Sequence, residues 1–261
     1  MRLRRITDHL RDQNWFAVAL DFVIVVIGVG AALMGQQWLS ERQGRADYER
    51  ALGDVRDQLS IVYFASKERL AIAPCRKARY RELGGLLMQT DQPWPGSPGT
   101  YGPNELDSTF PIVLRSPYRI WTSRMWDAEL DSGTFDRMDK TVRTLVSYTF
   151  SFGVQAEAVQ TRVGDMEASL QALAYPLDLS LSDRLRYYDV LTRADSASLL
   201  IEVLAAQNIG RIEATGLHRP VDDTQMAAHR TYLETSNARL VDIYGDCVTP
   251  MEFDYLEDAA R

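Results

Sequence analysis

Hydrophobic and polar positions alternate along this chain with four distinct rhythms. The first is no rhythm at all: residues 16–35, FAVALDFVIVVIGVGAALMG, are apolar or small at every position except Asp21. Twenty residues at 1.5 Å per residue give about 30 Å, the thickness of a bilayer's hydrocarbon core. Trp15 and Trp38 flank the run, where amphipathic indoles anchor at a membrane interface. The pattern predicts a transmembrane helix over residues 16–38. A cleaved signal peptide is the rival reading, with Gly30-Ala31-Ala32 as its cleavage site. The run is longer than a signal core and is interrupted by Asp21, which favours a retained anchor.

The second rhythm begins after Ser40. Apolar or small residues recur at Tyr48, Leu52, Val55, Leu59, Val62, Ser66, Leu70 and Ala73, close to heptad spacing. This stripe is expected to pack on the protein's own later helices, with an intermolecular coil as the alternative. Pro74 ends or bends the helix, and a second helix follows from Cys75, with Gly84-Gly85 as its weak point.

The third rhythm is a breaker cluster. Six prolines fall between Pro93 and Pro117, so residues 90–117 form a Pro/Gly-rich loop rather than a helix. Its apolar content, including Trp94 and Phe110, predicts an ordered loop lying on the helices. Helical periodicity then returns: from Tyr118 to Leu130, from about Asp136 to Ala174, from Ser182 with a break near Ala194-Asp195, and from Pro220, followed by two aspartates, to about Tyr244. No segment carries a strand alternation. The expected fold is all-α: one N-terminal transmembrane helix continuing into a membrane-anchored helical bundle with a long Pro-rich ordered loop. Its parts are a basic tail (1–15), the span (16–38) and the domain (39–261).

Charge and cysteines sharpen this picture. Arg2, Arg4, Arg5 and Arg11 precede the span, against Arg42, Arg45 and Arg50 just after it. That slight bias, together with cysteines that both lie on the C-terminal side, favours a cytoplasmic N-terminus and an external, periplasmic domain. Cys75 and Cys247 are the two cysteines; a disulfide across more than 170 residues and a pair of buried thiols are both open. The formal net charge is −7, and the four arginines before the span leave the rest more acidic still. Such a domain is a poor nucleic-acid binder.

Motifs for chemistry are absent. The three histidines, His9, His218 and His229, show no metal-ligand spacing. Gly96-Ser97-Pro98-Gly99 is a proline-rich turn, not a nucleophile elbow, and no phosphate-binding glycine loop follows a strand. Neither an enzyme nor a cofactor or metal is expected. An aromatic–arginine cluster is the candidate interaction surface: Trp94, Tyr101, Arg115, Tyr118, Arg119, Trp121 and Arg124. Read as core aromatics with solvated arginines, the same residues need no function.

On a helix, Asp21, Val25, Gly28, Ala32 and Gly35 share one stripe. Small residues spaced by four let a second helix approach, and a carboxylate prefers a protein-facing stripe to lipid. Asp21 reaching the nearby headgroups is the alternative. The run DFVIVVIGVGAALMGQQWLSER after an Arg-rich start ending DQNW resembles the opening of uncharacterised bacterial single-pass membrane proteins. In those, an acidic residue precedes a V-V-I-G-rich span leading through Gln and Trp into a charged helix. WDAELDSGTFDRMDKTVRTLVSYTFSF and, more loosely, Cys75 with its basic followers and Leu83 are similar too. The resemblance implies a membrane-anchored helical protein and supplies no activity. The expected function is a non-enzymatic accessory or scaffold protein. It would contact lipid and other membrane proteins or itself, and could be a subunit of a larger complex. The alternative is a periplasmic sensor of a small anionic ligand, enclosed by the loop and Arg115, Arg119 and Arg124.

Overall fold

The computed structural model describes residues 15–102 and 109–258, and among them the regular structure is all helical, with no strand. Residues 1–14 of the expected tail and loop residues 103–108 lie outside the described residues, as do the side chains of Trp15 and Arg124. The chain divides into two compact units, residues 1–52 and 53–261.

In the first unit the backbone forms the N-terminal part of α1 (Trp15–Ala71). Phe22, Ile24, Ile27, Leu33 and Met34 are all exposed, and none of the most apolar stretch is covered by the protein. This is the one helix, among the described residues, long and apolar enough to cross a membrane.

In the second unit α1 enters a core. Val55, Leu59, Val62 and Ser66 of its heptad stripe are buried, so this part of the stripe is covered by the protein itself. Pro74 sits at the second position of α2 (Ala73–Leu87). Ile72 stays in the right-handed helical region and accepts a hydrogen bond from Arg76 N, so the proline marks a joint between nearly contiguous helices. The Gly84-Gly85 pair does not interrupt α2.

The segment expected to be helical from Tyr118 is not. Helix α3 covers only Arg124–Asp131, with the Ser123 side chain accepting from Trp126 N as its cap. Residues 118–123 hold no regular structure because a later helix takes their backbone hydrogen bonds. Gln160 accepts from Arg119 N (3.0 Å) and donates to Arg119 O (2.9 Å). Glu157 accepts from the backbone of Trp121 (2.9 Å) and Thr122 (3.2 Å). Both belong to α4 (Lys140–Ser169), which Asp139 caps. A Cβ on Gly153 of α4 would lie 2.0 Å from Trp121 O, so the approach of strap to helix requires glycine there.

Helix α5 (Leu181–Thr215) opens with a reciprocal Ser180/Asp183 capping box and ends at Gly216, φ +67°. It runs unbroken through Ala194-Asp195: Ala194 is fully buried and Asp195 is paired with Arg76, so both are held in the helix by tertiary contacts. Helix α6 (Asp223–Tyr244) starts at the Asp222 cap, and α7 (Asp254–Asp258) follows. α4 and α5 pack along one another, and α2 packs on α5. Trp94, Val113 and Leu114 from the Pro-rich segment join Leu83, Leu87, Leu170, Leu173 and Leu191 in one apolar cluster. Trp94 is pinned there by its backbone exchange with Leu177 and by its indole N–H, which donates to Leu173 O at 2.9 Å.

Candidate functional site

Two regions collect the residues singled out from the sequence, one in each unit. On α1, Asp21, Val25, Gly28, Ala32 and Gly35 are all exposed. A Cβ added at Gly28 or Gly35 would meet nothing within 4 Å. Nothing in the described chain therefore requires glycine at those positions, or covers that stripe. Trp38 is exposed, with the Arg42 guanidinium 5.6 Å from its ring centroid.

In the second unit the aromatic–arginine cluster separates. Trp94 and Trp121 are each 1% exposed and belong to the interior, which removes them from any contact surface. Trp121 donates its indole N–H to Gln160 at 3.2 Å. Tyr118 is exposed. Since residues 118–123 are not helical, Tyr118 and Trp121 do not share a helix face with Met125. Tyr101, Arg115 and Arg119 come together. Tyr101 accepts from Arg115 N (3.1 Å) and meets the Tyr244 ring edge-on at 5.8 Å. Burial pushes the Tyr101 hydroxyl up to about 12. Arg119 forms two parallel bonds to Glu68 of α1, each 2.5 Å.

Arg115 and Arg119 line a groove of about 730 Å³ together with Tyr232, Ser236 and Arg239 of α6. A smaller cavity of about 220 Å³ lies beside it, and the two share Leu114, Arg115, Glu167 and Tyr244 as a wall. Cys75 and Cys247 line the small cavity and are joined as a disulfide, Cα–Cα 5.0 Å across 172 positions of sequence. Arg115 and Arg119, singled out from the sequence, line the groove; its other walls and the small cavity had no local signature, because α1, α2, the Pro-rich segment, α4 and α6 each contribute a few residues.

Buried charge surrounds this wall. Burial disfavours the charge on Arg76, yet hydrogen bonds to Asp195 (2.5 Å) and Glu202 (2.8 Å) outweigh it and hold the guanidinium protonated. Lys77 also reaches Glu202, at 3.3 Å. Arg69 is 3% exposed, and its Nε and Nη2 have no hydrogen-bond partner among the described residues. Burial, then the neighbouring charge of Arg76, lowers its affinity for its proton. Burial raises the Glu167 carboxyl, against hydrogen bonds from Ser116 (2.7 Å) and Tyr80 (3.4 Å). Proton sharing and anion binding are the chemistry such a wall permits.

His218 and His229 sit elsewhere, and His9 lies outside the described residues. His218 packs on Tyr63 at 4.7 Å between centroids, and His229 Nδ1 bonds the Tyr255 hydroxyl at 2.9 Å. Among the described residues, no three His, Cys, Asp or Glu side chains converge as a metal site. No protein-family model, curated protein or solved structure matches the chain.

Proposed function

We propose that the chain is a non-enzymatic accessory protein anchored in a bacterial inner membrane by α1, with its N-terminus cytoplasmic and its helical domain periplasmic. The observation that carries this reading is the exposure of every large apolar side chain described from Leu20 to Leu39. In water that cost is prohibitive, at roughly 25 cal/mol per Å² of apolar surface. In lipid it vanishes, and an α-helix satisfies its own backbone there. The run of Val23, Ile24, Val25, Val26 and Ile27 is a modest helix former in water, which also suits an apolar surrounding. The Cys75–Cys247 bridge agrees with an oxidising compartment.

The stripe at Asp21, Gly28, Ala32 and Gly35 is the proposed contact with another membrane helix, from a second copy or a different subunit. Asp21 would hydrogen-bond across that contact, which the small residues allow to be close. Alkaline extraction and reporter fusions test the anchoring. The chain should stay with the membrane pellet, and alkaline phosphatase fused after Arg261 should be active. Release into the supernatant, or an inactive fusion, would sink it.

A further inference from the structure

The last segment of the chain is held in two different ways. Up to Met251 it is pinned: Cys247 is bridged to Cys75, and Thr249 N donates to Ala71 O at 2.9 Å. Asn237 accepts from Met251 N (2.8 Å) and donates to Met251 O (3.0 Å). Beyond Met251, among the described residues, the hold on other elements is aromatic packing and one hydrogen bond. Phe253 stacks on Phe64 of α1 at 5.0 Å between centroids and lies 5.5 Å from Tyr63. The Tyr255 hydroxyl shares its 2.9 Å bond with His229 Nδ1.

Both histidines meet Tyr255. His218, in the turn after α5, lies 5.5 Å from that ring and 4.7 Å from Tyr63, and is 2% exposed. Its ring bonds the backbone of Ile212, and its Nδ1 has no hydrogen-bond partner among the described residues. A proton arriving at Nδ1 therefore adds a buried donor and a buried charge with no acceptor in place. Glu213 of α5 is the acid that bears on His218, but it already accepts from the Tyr63 hydroxyl (2.9 Å) and pairs with Lys67 of α1 (3.6 Å). Arg219 and His229 add positive charge, and Asp254 of α7 bears on Tyr63. His229 tolerates a charge better, with Asp57 of α1 bearing on it and the phenol as a partner in either protonation state. His218 is the trigger, and the His229–Tyr255 bond is the clasp.

We propose that residues 252–258 are an acid-operated flap: protonation of His218 expels Phe253 and Tyr255 from the aromatic cluster, and the segment swings out about Met251, uncovering Tyr63 and Phe64. The disulfide and Asn237 keep the released flap tethered. The neutral ring belongs to the closed state, and opening lets the ring take its proton in water, so closure weakens as pH falls. The inference is independent of the membrane reading, and each can fail without the other.

The test is amide hydrogen exchange by mass spectrometry on the full-length chain in detergent micelles, with exchange times scaled to the chemical rate at each pH. The five-residue helix α7 does not persist alone, so its amides lose protection once it leaves the cluster. Protection of the C-terminal peptide should fall about tenfold between about pH 7.5 and about pH 5.5, as expected for one imidazole with an ordinary value of 6.5 in the open state. Peptides from α4 should keep theirs. His218→Phe fills the same place without titrating and should keep the flap protected at both pH values. Tyr255→Ala should open it at both, with α4 still protected. Wild-type protection of the flap that ignores pH, or that falls equally in His218→Phe, would overturn the inference. So would an equal loss in α4, which makes the event global, or a Tyr255→Ala flap as protected as wild type at neutral pH.

Discussion

Arg119 grips Glu68 through two parallel hydrogen bonds of 2.5 Å, tying the strap before α3 to the last turns of α1. The Glu68 side chain is 9% exposed and that of Arg119 38%, so the pair lies between a surface and a core ion pair. Arg119→Ala strands a nearly buried carboxylate and should cost about 2 kcal/mol, below the 3–5 of a fully buried pair. For a domain of this size that is roughly 4–8 °C in Tm. Replacing both partners, as Glu68→Leu with Arg119→Met, should recover part of the loss. A double mutant no better than the single one would mean that the pair's geometry, not stranded charge, sets the cost.

Gly153 is the other fixed point of that strap. Gly153→Ala places a methyl 2.0 Å from Trp121 O, in backbone that cannot rotate away. Overpacking of this kind costs about 1–3 kcal/mol, and it should expose Trp121. A red-shifted tryptophan emission together with a lowered denaturation midpoint is the expected outcome.

The Cys75–Cys247 bridge closes a loop spanning 172 positions. On the chain-entropy account such a bridge stabilises by up to about 5 kcal/mol, less any residual structure in the reduced unfolded chain. Cys247→Ser should lower the urea midpoint by an amount that reductant reproduces in the wild-type chain. Identical wild-type midpoints with and without reductant would argue that the thiols are not joined.

Stability should fall on mild acidification. Burial lowers His218, with partial relief from Glu213, and burial lowers His229 also. The folded state then binds fewer protons than the unfolded one below the ordinary value of 6.5. The histidine contribution is therefore full above pH 6.5 and is lost as pH falls through the folded values. Glu167 acts in the opposite sense. Its raised carboxyl contributes fully below its ordinary 4.5, and that contribution is lost as pH rises through the folded value. Tm measured against pH should be flatter on the acid side in His218→Phe, and Glu167→Gln should be more stable than wild type at neutral pH. Parallel profiles for all three proteins would contradict both assignments.

Much of the helical architecture was legible in the sequence because its signals are local. The heptad stripe at Val55, Leu59, Val62 and Ser66 and the proline Pro74 act within a turn or two, and the helix starts expected at Ser182 and after Pro220 fall close to the observed caps Ser180 and Asp222. Tyr118–Ser123 was misread because its periodicity is helical while its backbone partners, Gln160 and Glu157, lie 35–41 residues away. The expected break at Ala194-Asp195 failed for a related reason: Arg76, 119 residues distant, holds Asp195 in the helix. Trp94 and Trp121 looked like contact residues because sequence gives aromatic character and not burial. Arg115 and Arg119 were singled out from the sequence, but the rest of the groove and the cavity were invisible, since Glu68, Arg76, Glu167 and Arg239 become neighbours of one wall only through tertiary packing.

The most direct test of the assembly reading is native purification from the protein's own membranes in mild detergent, with particle mass and composition by mass spectrometry. The account predicts a particle of fixed stoichiometry, containing other membrane proteins or further copies of the chain, that Asp21→Leu loosens. A bare monomer of 29.6 kDa plus detergent, unchanged by Asp21→Leu, would contradict it.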